Sequence, residues 1–147
     1  MNQREDNFGF TLIEILIVVG ILSILVGLGL FIGNDFYRGY NLRLERSVMV
    51  SALQKARNQS MSNIGQSNHG VYLTNDGFTI FQGPSYAGRS TSSDQIILSN
   101  LSVTHSGLNE IVFSQLSGQS NASGTITLNN GISSTTINVN YEGAISW

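Results

Sequence analysis

The chain has 147 residues, 41% of them hydrophobic, with no cysteine and a formal net charge of −2. A disulfide framework and a thiolate metal site are therefore excluded, and the length allows one small domain beside a membrane segment. Charge is unevenly spread: Arg38, Arg43, Arg46, Lys55 and Arg57 outweigh Asp35 and Glu45, whereas beyond residue 57 Arg89 faces Asp76, Asp94, Glu110 and Glu142. The distal part lacks the clustered Lys and Arg that phosphate contacts require, so nucleic acid is not an expected partner.

Residues 1–9 are polar and contain nothing that packs. Behind them, residues 15–33 carry no charge. As a helix this run is about 28 Å long, close to the roughly 30 Å of a bilayer's hydrocarbon core, and reads as a membrane span. It is too long for the apolar region of a secretory signal peptide and offers no small-residue cleavage site after it. Three arginines lie within a short distance beyond the span, and loop charge alone would place the C-terminal side in the cytoplasm. Glu14 stands at the apolar edge, where two readings are open. A first-turn carboxylate complements the helix dipole and snorkels to head groups; a carboxylate held in hydrocarbon is costly and marks a partner. Gly29 and Gly33 form a G-x-x-x-G pair, which is either a close helix contact or a place where the helix bends.

After Asn34 the pattern becomes amphipathic. Leu42, Glu45, Met49, Leu53, Ala56, Ser60 and Ile64 form one stripe, widened by Leu44, Val48 and Ala52. Glu45 is expected to pair locally with Arg38 or Arg46. The basic residues of this helix form a solvated face, or meet acidic lipid head groups or neighbouring subunits. Gly65 to His69 breaks the helix. Short alternating runs then predict strands over residues 71–74, 78–82, 95–98, 101–105, 110–114, 125–129 and 136–141, with tight turns at Asn75-Asp76-Gly77 and Asn129-Asn130-Gly131. Gly83 to Asp94 and Ser117 to Ser123 are the long loops. Tyr72, Phe78, Phe81, Phe113, Tyr141 and Trp147 are expected in the core, and Tyr86 exposed. His69 and His105 have no accompanying nucleophile elbow, H-E-x-x-H or phosphate loop, so neither catalysis nor a cofactor is expected. Asp76 and Asp94 are too scattered for a calcium cage, and no metal site is expected.

The run Gly9-Phe10-Thr11-Leu12-Ile13-Glu14-Ile15-Leu16-Ile17-Val18-Val19 resembles the N-terminal motif of type IV prepilins and type II secretion pseudopilins. The resemblance implies cleavage between Gly9 and Phe10 by a prepilin peptidase, N-methylation of Phe10, and an assembly role for Glu14. There the carboxylate would pair with the free amine of a neighbouring subunit and set the register of a helical filament. Ala56-Arg57 and the strand-rich remainder are similar to the H-type minor pseudopilins (the GspH/FimT group), although Ala144 follows Gly143 where many members carry arginine.

The implied fold is α+β and pilin-like: a leader at 1–9, a transmembrane and assembly half-helix at 10–33, an amphipathic half at 34–67, and a β-rich domain at 68–147. The implied function is that of a minor pseudopilin or minor pilin, a non-enzymatic structural subunit. It would be held in the cytoplasmic membrane by one span with its C-terminal domain outside the cytoplasm, then built into a filament. Its partners would be the prepilin peptidase, other pilins and an assembly platform protein. A tip-located binding pilin, serving adhesion or DNA uptake, is the alternative; a membrane-tethered enzyme lacks any motif.

Overall fold

The computed structural model describes residues 10–74 and 76–147, with the backbone alone for residues 30–38. The chain divides into two compact units, Met1–Tyr37 and Arg38–Trp147. Helix α1 spans Leu12–Met61, beginning in the first and ending in the second.

In the first unit, a Leu/Ile/Val-rich run without proline forms helix despite Gly20, Gly27 and Gly29. Every large apolar side chain from Leu12 to Leu28 is exposed, from 47% at Val18 to 83% at Leu12. A helix apolar all round belongs in a membrane or among other helices rather than in water. Ser23, the polar residue within this run, returns its hydroxyl to the Val19 carbonyl oxygen at 2.8 Å, so it presents no unmatched donor.

In the second unit, one face of α1 is buried through Leu42, Glu45, Met49, Val50, Ala52, Leu53, Ala56 and Ser60. The buried stripe is narrower than the sequence pattern suggests. Leu44 and Val48 lie 45% and 40% exposed, and Val50 is buried in their place. The helix ends at Met61, ahead of Ile64, because Asn63 and Gly65 adopt left-handed backbone (φ 55° and 62°). Ile64 falls in a 3₁₀ turn, half exposed.

Eight strands follow: β1 His69–Thr74, β2 Gly77–Gln82, β3 Gln95–Leu98, β4 Thr104–Gly107, β5 Glu110–Phe113, β6 Gly124–Asn129, β7 Ser134–Val139 and β8 Ile145–Ser146. They form two antiparallel sheets, in the orders β3-β2-β1-β5 and β4-β6-β7-β8. Their inward residues, including Val71, Phe78, Ile80, Ile111 and Phe113 from the first sheet and Ile126, Leu128, Ile137 and Val139 from the second, share one core with α1.

All seven expected strands form, with shifts where side chains capture the backbone. Asn100 Oδ1 accepts the Ser102 N–H at 3.0 Å and Asn100 O accepts the Val103 N–H at 2.8 Å. This turn delays β4 to Thr104 and leaves Leu101 91% exposed. Asn140 likewise accepts the N–H groups of Gly143 and Ala144, ending β7 at Val139. Tyr141 and Trp147 are therefore exposed rather than in the core, while Phe78, Phe81 and Phe113 are buried as expected. The β1–β2 register pairs Thr74 with Gly77, a two-residue connection at the expected turn, of which Asn75 lies outside the described residues. At the other expected turn, Asn129 Oδ1 accepts the Gly131 N–H at 2.6 Å and Asn130 Oδ1 accepts that of Ser133 at 2.8 Å.

Candidate functional site

The chemistry-bearing end of the chain is the start of α1. Thr11 sits just before the helix, and its Oγ1 accepts the Glu14 N–H at 3.3 Å, so it serves as the N-cap. Thr11 and Glu14 thus have the spacing of a capping box, whose carboxylate also favours the positive helix end. The T-x-x-E signature was present in the sequence. Phe10 is 79% exposed, and Glu14 is exposed without an ion pair among the described residues. Gly9, on the other side of the expected scissile bond, lies outside the described residues. Behind Glu14, the stretch Leu12–Gly29 is long and apolar enough to cross a membrane, and none of it is buried within the chain. Gly20, Gly27 and Gly29 each face open space, where a neighbouring helix can approach closely. An isolated exposed carboxylate on a wholly exposed apolar helix can anchor in lipid and attract a cation from another chain.

Glu45 makes no ion pair with Arg46, and the side chain of Arg38, the other expected partner, lies outside the described residues. Glu45 is 6% exposed and reaches away from its own helix to the β3–β4 connection. Ser99 Oγ donates to its Oε1 at 2.5 Å, the Asn100 N–H donates to its Oε2 at 3.2 Å, and His105 Nε2 lies 3.4 Å from Oε1. Serine, histidine and carboxylate meet here, but not as a catalytic relay. In such a relay the acid holds Nδ1 while Nε2 faces the serine; here acid and serine share Nε2, and His105 Nδ1 is buried without a partner. The His105 and Glu45 side chains are 6% and 8% exposed, so the cluster pins the connection to the helix. His69 lies on the other sheet, so the two histidines do not form one site. Among the described residues no three His, Cys, Asp or Glu side chains are placed to hold a metal ion.

The Gly83–Asp94 loop is a folded strap rather than a free loop. Tyr86 stacks on Tyr72 with ring centroids 3.9 Å apart and meets Phe81 edge-on. The Tyr86 N–H donates to Glu110 Oε1 at 2.8 Å. Arg89 caps the stack, 3.7 Å from the Tyr86 ring centroid, and its Nε donates to Asp94 Oδ2 at 2.8 Å. That bond holds the guanidinium pKa above its ordinary value. Tyr86 is thus partly buried rather than freely exposed, because a second small apolar layer lies on the outer face of the first sheet.

Arg57 donates from Nε to the Gly118 carbonyl oxygen at 3.3 Å, and Gly143 (φ 76°) packs so closely that an added Cβ would meet the same oxygen. The Ala56-Arg57 pair therefore ties the helix to the two loops that carry these glycines.

Residues 6–30 match the family model of the prokaryotic N-terminal methylation motif. The match includes the Gly9-Phe10 bond, Thr11, Glu14 and most of the apolar run. It supports a type IV pilin-like or pseudopilin subunit, a class of structural proteins whose motif implies prepilin peptidase processing and assembly with other pilins. The apolar first helix and the antiparallel sheets behind it make an α+β, pilin-like fold. No curated protein and no solved structure matches the chain.

Proposed function

We propose that this chain is a minor pseudopilin or minor pilin of the H type, built into a type II secretion pseudopilus or a type IV pilus-like filament. One observation carries the reading: the methylation motif coincides with a capped helix start that presents Glu14 ahead of a fully exposed apolar segment. In this reading residues 1–9 are the leader and 10–33 the membrane and assembly half of the helix. Residues 34–67 are its amphipathic half, and 68–147 the displayed domain. The peptidase cuts Gly9–Phe10 and Phe10 is methylated. The new amine, with a reference pKa near ~8, is largely cationic at neutral pH. Glu14 of one subunit pairs with that amine on another, and burial of both among apolar helices strengthens the attraction. Before assembly the chain resides in the cytoplasmic membrane with the β domain outside the cytoplasm; an assembly platform protein then extracts it.

Coexpression with a prepilin peptidase tests the reading. Intact mass should show loss of Met1–Gly9 and gain of one methyl group, and Gly9→Ala should block both. An unprocessed wild-type chain beside a processed control prepilin would reject it. Glu14→Ala should leave processing intact but remove the subunit from sheared filaments.

A further inference from the structure

A cleft of about 360 Å³ lies between the end of α1, β2 and the 3₁₀ turn Thr91–Ser93, within the roughly 300–1,000 Å³ of small-ligand sites. Gln59 of α1, His69 of β1 and Asp94 ahead of β3 all line it. Each brings a buried polar atom without a hydrogen-bond partner: Gln59 Oε1, His69 Nδ1 and Asp94 Oδ1. Buried polar groups are matched in nearly all native structures, because an unmatched one keeps its full desolvation cost. Three from separate elements around one cleft mark a place built for something that supplies hydrogen bonds. His69 is only 3% exposed, and burial lowers its pKa, favouring the neutral ring.

The surrounding charges select the ligand class. Asp94 is already neutralised through Oδ2 by Arg89. Lys55 Nζ is held by Gln95 Oε1 at 2.5 Å, which leaves the Gln95 amide nitrogen to donate. No lysine or arginine lines the cleft to meet a phosphate, sulfate or carboxylate, and among the described residues no metal-binding group of three is placed here. What fits is a neutral molecule whose groups donate and accept in turn, with an apolar face for the side chain of Phe81, which also lines the cleft. Ring hydroxyls on a C–H-faced ring have that character.

The geometry points to a binding site for one unit of a neutral saccharide in the cleft between Gln59, His69 and Asp94. The site lies in the β domain and its immediate helix, and does not depend on how the N-terminus is processed.

The test uses the full chain in a detergent without a sugar head group. Glucose, galactose, mannose and N-acetylglucosamine are titrated into the millimolar range while backbone amide resonances are followed. At least one sugar should shift the amides of Gln59, His69, Ser93, Asp94 and Gln95. Gln59→Met, which keeps the side-chain length and removes the amide, should weaken that binding about tenfold with the remaining spectrum unchanged. His69→Phe should do the same. Silence for all four sugars overturns the proposal. So does full affinity in a folded Gln59→Met chain, or equal shifts with glycylglycinamide, which would make the site a peptide site.

Discussion

Ser60 shows how a single hydroxyl on α1 fixes a sheet. It is fully buried; its Oγ donates to the Phe113 carbonyl oxygen at 2.9 Å and accepts the His69 N–H at 2.8 Å. One side chain thereby locks the paired ends of β1 and β5 onto the helix. Ser60→Ala should cost about 1–3 kcal/mol, because it leaves a buried donor and a buried acceptor unmatched. Urea unfolding would show this as a lower midpoint at unchanged slope. Ser60 was legible as a stripe residue, but its partners were not, since nothing local in sequence joins position 60 to 69 and 113. Glu45 makes the same point more sharply: its burial followed from the stripe, while Ser99, Asn100 and His105 depend on how the sheets pack. His69 adds a pH dependence. Its pKa is lowered chiefly by burial, with the nearby Ser67 backbone opposing in part. The unfolded chain therefore binds the proton more readily than the folded one. The stability linked to neutral His69 is full above about pH 6.5 and is lost as pH falls through the lower folded value. The wild-type urea midpoint should decline on acidification in that window, and His69→Phe should flatten the decline.

At the scale of elements, the alternating runs were sufficient for seven strands because inward positions such as Ile126, Leu128, Ile137 and Val139 are apolar at period two. The eighth, Ile145–Ser146, is too short to show a period and exists because Val139 offers it a register partner. The loop over residues 83–94 was legible only as proline- and serine-rich sequence. Its fold depends on Tyr72, Phe81 and Glu110, which come from three different strands. Arg89 is the loop's clasp, joining the Tyr86 ring and carbonyl to Asp94. Partly exposed ion pairs contribute little to global stability. Arg89→Ala should accordingly leave the unfolding midpoint unchanged while amide hydrogen exchange rises across residues 85–94 and not in β1 or β5. Uniform acceleration across both sheets would show that the clasp holds the domain and not just the loop.

For the whole molecule, the sequence separates two solvents. The N-terminal run reads as lipid-facing from composition alone, and the structure buries none of its described stretch Leu12–Gly29. The second unit, Arg38–Trp147, reads as water-facing and contains the whole described core, which begins at Leu42 on α1 and closes on the second sheet. Filament contacts were not legible in either unit, because they depend on neighbouring chains. Division of labour between the units has a direct consequence for stability. No described side chain before Leu42 belongs to the core cluster, so deleting the first unit removes no described core residue. A chain of residues 38–147 should therefore be soluble without detergent and unfold cooperatively. Its urea midpoint should equal that of the β domain in the full chain, read through the Trp147 fluorescence or the amides of β1 and β6. A lower midpoint would mean that the helix upstream of Arg38 supports the domain. An equal one would leave the exposed apolar surface of Leu12–Gly29 for the membrane and for neighbouring helices alone.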